Sequence, residues 1–406
     1  MSTEPRIKEV KKNWGENLDS LKIVHIDMDS FFATIEQARH PESEGKCVIV
    51  GGTNQGGTLR GVVSSANYKA REFGIRAGMP MAEAVRRCPK AQCFPVDMEH
   101  YEKISEKAFE IYYNFTPFFE KYSIDEAFLD LSGSQMLFGD IYDTVQKIRK
   151  EVFDQLNITC SAGIAENKLV AKLASTQAKP NGQIFVCSDK AEEFVSHLPI
   201  KSIWGIGPAT QAKLEYYGIE TMKQLSEVSE EKLQNIFKNK AGQSIFEAAH
   251  GLDSSELRIS EPTKSIGNEE TFYNETYDKK EVLSHLLKMT EKTVYRLGSA
   301  EFKTRRITVN IKYTDFSRDA SSQTVPDYLS DTQSIYKVAK DIFERLYNGK
   351  KVRLIGISLS RLENIDKAGE QKKFGIFEYG LEKKERLQNA INFLNKKYEK
   401  SIVHYM

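Results

Sequence analysis

Ile23-Val24-His25-Ile26-Asp27-Met28-Asp29-Ser30-Phe31-Phe32 and Tyr122-Ser123-Ile124-Asp125-Glu126-Ala127-Phe128-Leu129-Asp130 are two acidic strings set in apolar strands. Asp27 follows Val24 and Ile26, and Asp125 and Glu126 stand between Ile124 and Phe128. Three carboxylates brought together repel one another and resist desolvation. Divalent cations relieve both costs, and two metals roughly 3.5–4 Å apart suit phosphoryl transfer. Taken singly, each acid also reads as an ordinary capping or surface residue, and spacing alone does not bring the three together.

Around these strings strands alternate with helices. Residues 23–28 read as a strand and 31–39 as the following helix, with Ser30 as its N-cap. A strand over 48–52 runs into a Gly-rich loop, 51–61, and a short strand over 62–65. Short helices are predicted over 68–73 and 81–87 and a long one over 99–115. Residues 122–131 read as a hairpin with Asp125 and Glu126 near its turn. Ile141, Val145, Ile148, Val152 and Leu156 recur every three or four residues, the stripe of an amphipathic helix. A strand over 158–164, a helix capped by Asn167, a break at Ala178-Lys179-Pro180-Asn181-Gly182 and a strand over 184–187 complete one α+β unit. Residues 190–257 turn helical, with turns at Trp204-Gly205-Ile206-Gly207-Pro208 and Lys240-Ala241-Gly242. After a linker marked by Pro262 comes β-α-β-β-α-β, the ferredoxin-like order. Residues 1–20 read as a loose arm and 363–406 as a charged tail.

The 406 residues imply roughly two to four domains. A net charge of +1 does not announce a nucleic-acid binder, so any basic surface must be local. The five cysteines form no C-x-x-C pair and read as buried free thiols rather than a zinc site or disulfides. No apolar run approaches the length of a membrane span and the N-terminus is polar, so a cytoplasmic protein is expected.

Both strings resemble the catalytic motifs of Y-family translesion DNA polymerases. So do Arg60-Gly61-Val62-Val63-Ser64-Ser65-Ala66-Asn67-Tyr68-Lys69-Ala70-Arg71, Lys179-Pro180-Asn181-Gly182 and Lys264-Ser265-Ile266-Gly267, in order along the chain. The likeness covers about residues 20–362 and is strongest to the bacterial DNA polymerase IV type. It implies an α+β, multidomain right-hand polymerase with a palm (21–30 and 97–187), small fingers (31–96), a helical thumb with a helix-hairpin-helix (188–257) and a ferredoxin-like little finger (258–362). The implied reaction is low-fidelity, template-directed addition of deoxynucleotides to a primer 3′-hydroxyl, without proofreading.

By the same resemblance Asp27 and Asp125 bind two Mg²⁺ ions. Glu126 binds the catalytic one or positions the primer hydroxyl, and Met28 offers its backbone carbonyl. Tyr68 and Arg71 match residues that bind the β- and γ-phosphates, and Lys179 matches the lysine that closes on the triphosphate. Ser65 adds a hydroxyl, and the backbone N–H groups of Phe31 and Phe32 open a helix towards phosphate. Phe32 matches the steric gate, an aromatic ring that collides with a ribose 2′-hydroxyl, whereas Phe31 is expected in the core. Asp29 is expected to be structural.

DNA contacts are expected from Arg60 on the template side and from Gly205 and Gly207, whose turn offers backbone N–H groups to phosphates whatever the base sequence. Residues 258–361 hold 19 Lys or Arg against 14 Asp or Glu, with Lys303, Arg305 and Arg306 clustered where a sheet face would meet the duplex. Gln371, Phe374, Ile376 and Phe377 resemble a peptide that docks on the sliding clamp. A monomer is expected. Two rival readings share parts of this pattern: a palm-type nucleotidyl cyclase, which needs no primer-template, and a non-catalytic DNA-binding scaffold, which tolerates loss of the acids.

Overall fold

A computed structural model describes residues 13–55, 58–259 and 262–365. The chain forms two compact units, which divide between Ser260 and Glu261. The first contains Asn13–Trp14 (β1), Ile23–Met28 (β2), Phe31–Arg39 (α1), Val48–Gln55 (β3), Thr58–Ala66 (β4), Tyr68–Glu72 (α2), Met81–Arg87 (α3) and Gln92–Phe94 (β5). It continues through Met98–Phe115 (α4), Phe119–Lys121 (β6), Glu126–Asp130 (β7), Gln135–Phe138 (α5), Ile141–Leu156 (α6), Cys160–Ala165 (β8), Lys168–Ala178 (α7) and Gln183–Val186 (β9). Five helices close it: Ala191–Ser196 (α8), Pro208–Tyr216 (α9), Met222–Ser226 (α10), Glu230–Phe237 (α11) and Asn239–Ala249 (α12).

The strands make a six-stranded sheet in the order β1-β9-β8-β2-β7-β6 and a three-stranded sheet in the order β4-β3-β5. β2 lies inside the large sheet, antiparallel to β7 and β8, and every one of its side chains is buried. Alternation sends Val24, Ile26 and Met28 into a core shared with α4 and α6. Ile23 faces the opposite core, with Phe128 and α7, and the same alternation puts His25 and Asp27 on that side. The small sheet closes over α2 and α3 around Ile49, Val63, Ile75 and Met81. All five cysteines are free thiols, four of them buried.

Four local expectations are corrected. Residues 13–20 are not all loose: β1 pairs parallel with β9, because Trp14 finds a buried place against Phe194. Ser30 does not cap α1: its backbone is left-handed, with φ 51°, rather than extended, and its side chain makes no hydrogen bond to the helix. The Gly-rich stretch 51–61 is mostly the β3–β4 hairpin rather than a loop, since its backbone pairs across from Gly51↔Val63 to Gln55↔Thr58. The second turn of the helical stretch falls at Lys238, with φ 70°, and Gly242 lies inside α12 where a Cβ would meet the α11 backbone at 2.4 Å.

The second unit runs Ser265–Thr276 (β10), Lys279–Ser299 (α13), Phe302–Tyr313 (β11), Arg318–Leu329 (β12), Thr332–Leu346 (α14) and Val352–Asn364 (β13). The sheet order is β10-β13-β11-β12 and every pair is antiparallel. Ile307, Val309, Ile311 and Tyr313 pack with both helices. The β11–β12 register shifts between Thr304 and Arg306, where β12 advances five residues against two on β11, so Arg305 stands opposite an irregular stretch of β12 while the β11–β13 register runs on unbroken there. No described helix is long and apolar enough to cross a membrane.

The close seating of α7 on β8 depends on Gly163: a Cβ there would lie 2.0 Å from Ala171 O and 2.3 Å from Ser175 N. Gly163→Ala should therefore destabilise the first unit by about 2–3 kcal/mol in denaturant titration, with no change in the second unit. A loss below about 0.5 kcal/mol would mean that α7 is free to shift and is not held at this distance.

Candidate active site

Antiparallel pairing of β2 with β7 sets Asp27 directly opposite Glu126 and His25 opposite Phe128, on one face of the sheet. The Met28 N–H donates to Asp125 O at 2.9 Å, which locks Asp125 one step beyond the pair. Register thus sets Asp27 against Glu126 and leaves Asp125 next to Glu126 along the chain. Met28 has its side chain in the core, so only its backbone is available to the site.

α7 lies across this face and supplies its counter-charges. Lys168 donates to Glu120 Oε2 at 2.6 Å, Lys172 pairs with Glu126, Ser175 Oγ meets His25 Nδ1 at 2.7 Å, and Lys179 pairs with Asp27. Lys168, Lys172 and Ser175 are spaced four and three apart on one face of α7, and Lys179 is the extended residue that ends it. Lys172, Ser175 and His25 were missed in the sequence. The signal was present, since Lys168 and Lys172 stand four apart in the largely apolar first half of the helix.

Burial lifts the Asp27 carboxyl to about 8; Lys179 opposes that shift, and Glu126 and Asp125 add to it. Asp125 is also raised, by burial first and Glu126 next, with Ser123 opposing through a 2.6 Å hydrogen bond. For Glu126 desolvation is outweighed by His25 and Lys172, which hold it below the usual carboxylate range. His25 is pushed down to about 4, chiefly by burial, and so is neutral. Its Nδ1 shares a 2.7 Å hydrogen bond with Ser175 Oγ, and its Nε2 stands 3.4 Å from Glu126 Oε2, longer than a normal hydrogen bond.

A cavity of about 180 Å³ opens beside the acids. Asp27, Met28, Phe31, Phe32, Ser65, Arg71, Asp125 and Lys179 line it, together with Ser30. Ser30 Oγ is buried without a hydrogen bond. Tyr68 and Glu126 are not among the lining residues. The Tyr68 hydroxyl donates to Asp29 Oδ1 at 3.1 Å, and its ring sits 4.6 Å from the Arg71 guanidinium. Asp29 is structural, as expected: it also accepts from Thr159 Oγ1 at 3.0 Å, Ser161 Oγ at 2.9 Å and Asn181 N at 2.8 Å.

Phe31 is 2 % exposed in the core. Phe32 stands on the cavity wall, its ring stacked on Tyr101 at 4.3 Å and 17°, while the Tyr101 hydroxyl donates to the buried Glu36 at 2.8 Å. Tyr101, far away in sequence, was not foreseen. Arg60 is exposed on β4. Gly205, with φ 91°, makes the turn that leads through Gly207 into α9. Arg305 is engaged by its neighbours: its Nε donates to Val325 O at 3.2 Å and its guanidinium sits 5.3 Å from the Tyr328 ring. Lys303 and Arg306 are half-buried on the same strand.

Among the described residues no three His, Cys, Asp or Glu side chains are gathered closely enough to hold a metal ion. Asp27 and Glu126 are instead turned onto their lysines, and Asp125 onto Ser123. The donor chemistry nevertheless fits a divalent cation: hard oxygens in adjacent registers, two of them on acids that burial drives towards the neutral form.

The impB/mucB/samB family model matches residues 26–176 and its C-terminal domain 263–374, and a thumb-domain model described for DNA polymerase iota matches 201–253. The DNA polymerase IV of Desulfatibacillum aliphaticivorans is 38% identical over 91% of this chain and 92% of its own length. That of Clostridioides difficile is 35% identical over 88% and 97%. Two solved structures are alike. The Y-family chimera Dbh-Dpo4(243-245)-Dbh has a TM-score of 0.76 at 27% identity, covering 84% of this chain and 98% of its own. The insertion ternary complex of Dbh DNA polymerase has 0.60 at 26%, covering 85% and 99%. The fold and the acid-lined cavity define a metal-dependent nucleotidyltransferase. The chain belongs to the impB/mucB/samB family, the Y-family DNA polymerases.

Because Asp27 is held near neutrality by burial, a cation must compete with a proton there. Its affinity should rise as pH rises through about 8 and level off above, with a proton released on binding, read by calorimetry in two buffers of different ionisation enthalpy. Equal affinity at about pH 6.5 and about pH 9 would rule out Asp27 as a ligand.

Proposed function

We propose that Asp27, Asp125 and Glu126 form the catalytic centre of a two-metal polymerase site, supported chiefly by their convergence beside a cavity walled by Phe32, Arg71 and Lys179. The chain is a template-directed DNA polymerase that performs translesion synthesis. On this reading Asp27 and Asp125 would hold two Mg²⁺ ions with the Met28 carbonyl, and Glu126 would hold the catalytic one. Bound there, such ions lower the pKa of the primer hydroxyl and neutralise the triphosphate.

The protein's own part is binding and orientation. Arg71 presents a fork of donors and Lys179 a point charge, which exchanges Asp27 for phosphate oxygens. Ser65 and the unpartnered Ser30 hydroxyl supply further donors. Tyr68 serves partly through Asp29 and Arg71, by fixing where the guanidinium stands. Phe32, backed by Tyr101, closes the cavity where a ribose 2′-hydroxyl would lie.

We assign the six-stranded sheet with α4, α6 and α7 as the palm, the three-stranded sheet with α1 to α3 as the fingers, α8 to α12 as the thumb and 262–365 as the little finger. Arg60, Gly205, Gly207, Lys303, Arg305 and Arg306 are assigned to the primer-template backbone, and a steep fall of DNA affinity with salt tests that grip. Gln371, Phe374, Ile376 and Phe377 lie outside the described residues; their proposed role on a sliding clamp is tested by deleting residues after 370 and measuring clamp-stimulated synthesis.

Asp125→Ala should lower Mg²⁺-dependent primer extension by about a thousandfold or more. Extension that survives the change would overturn the mechanism, and turnover of a nucleotide without primer-template would favour a cyclase. Phe32→Ala should raise ribonucleotide incorporation relative to deoxyribonucleotide by about 10–100-fold. Unchanged sugar discrimination would remove Phe32 as the gate.

A further inference from the structure

Lys172 has no place in the reaction as derived so far, yet it is the residue packed most directly against Glu126. Its ammonium pairs with Glu126 Oε2 on one side and sits 4.5 Å from the centroid of the Tyr122 ring on the other. Tyr122 in turn stands edge-on to Trp204, at 5.2 Å and 87°. Phe128 completes the cluster, 5.6 Å from Tyr122 and 6.4 Å from Trp204, and is flanked by the Lys168 ammonium at 5.0 Å.

Trp204 is the residue immediately before Gly205, in the turn that leads into α9. It remains 43 % exposed, so it is a surface ring leaning on the palm rather than core filling. Three direct contacts therefore join this turn to a carboxylate of the acid cluster: indole to phenol ring, phenol ring to ammonium, and ammonium to carboxylate. Each is directional. A T-shaped aromatic pair and a cation–π contact both weaken when the ring tilts, and an ion pair next to an aromatic face holds one carboxylate geometry.

We propose that Lys172 is a positioning residue for Glu126, and that the Trp204–Tyr122 contact seats Lys172, so that the thumb turn acts on turnover as well as on DNA affinity. The proposal rests on the polymerase reading above. It makes the turn a device for setting the orientation of Glu126 once primer-template engages the turn. Contiguity alone does not establish coupling, so the test is a double-mutant cycle.

The cycle uses the full chain, a saturating primer-template and a saturating deoxynucleoside triphosphate. Lys172→Met should lower kcat by about tenfold or more while the dissociation constant for primer-template stays within about twofold, and Lys172→Arg should recover most of the loss. Trp204→Leu should lower kcat by about threefold at saturating DNA, and the double variant should be no slower than Lys172→Met. A second readout needs no turnover. The chain has two tryptophans, so in a Trp14→Phe background the emission comes from Trp204. Adding Mg²⁺ without DNA should change that emission, and the change should vanish in Lys172→Met. The proposal fails if the two losses in kcat multiply, if Trp204→Leu alters DNA affinity alone, if Lys172→Arg is as slow as Lys172→Met at an unchanged melting temperature, or if the emission change persists without Lys172. Absence of primer extension in the unaltered chain would instead sink the polymerase reading itself.

Discussion

Charge compensation between α7 and the central sheet is the constraint on which the site depends. The sheet face under α7 carries Glu120, Glu126, His25 and Asp27, all in places where water is scarce. Isolated charges there would cost several kcal/mol each. One face of α7 and the residue that ends the helix deliver one partner to each: Lys168, Lys172 and Ser175 from the helix, and Lys179 just past it. The acids are thereby kept in the fold, but not all are kept ionised. Asp27 remains lifted by burial even with its lysine present, so a cation entering there would have to displace a proton.

Neutrality of a different kind is built around Asp29. Two residues past Asp27 and just beyond β2, its carboxylate collects hydrogen bonds from Tyr68, Thr159, Ser161 and the Asn181 N–H. Those donors come from the small-sheet unit, the approach to β8, β8 itself and the turn after α7. One buried acid therefore fixes the relative placement of Arg71, carried beside Tyr68, and Lys179, two residues before Asn181. The groups proposed to meet the triphosphate are positioned from behind by a residue that does not line the cavity. Phe32 is treated the same way: Tyr101 backs it, and Glu36 holds Tyr101.

Much of this was legible along the chain. The helices and strands of both units follow apolar periodicity closely, and Asn167 caps α7 with its side chain on the Val170 N–H at 2.9 Å. Local rules misled where a distant partner took over. Ser30 looked like a cap, but the turn between β2 and α1 is tight enough to force a left-handed residue. Asn13 and Trp14 looked like part of a loose arm, but an open edge of β9 and a pocket beside Phe194 were waiting for them. Gly242 looked like a turn and is a contact point between two helices.

The residues of the acid cluster, the ring proposed to face the sugar and the lysine proposed to meet the triphosphate could be named from the sequence through the short motifs that carry its family resemblance. Their partners could not. Lys172, Tyr101 and Trp204 matter through contacts with residues 46, 69 and 82 positions away, at Glu126, Phe32 and Tyr122. Strand register brought Asp27 opposite Glu126, and helix packing chose which lysine meets which acid. Motifs record what a residue can do; protonation, orientation and partner choice depend on burial and distance, which exist only once the chain has packed.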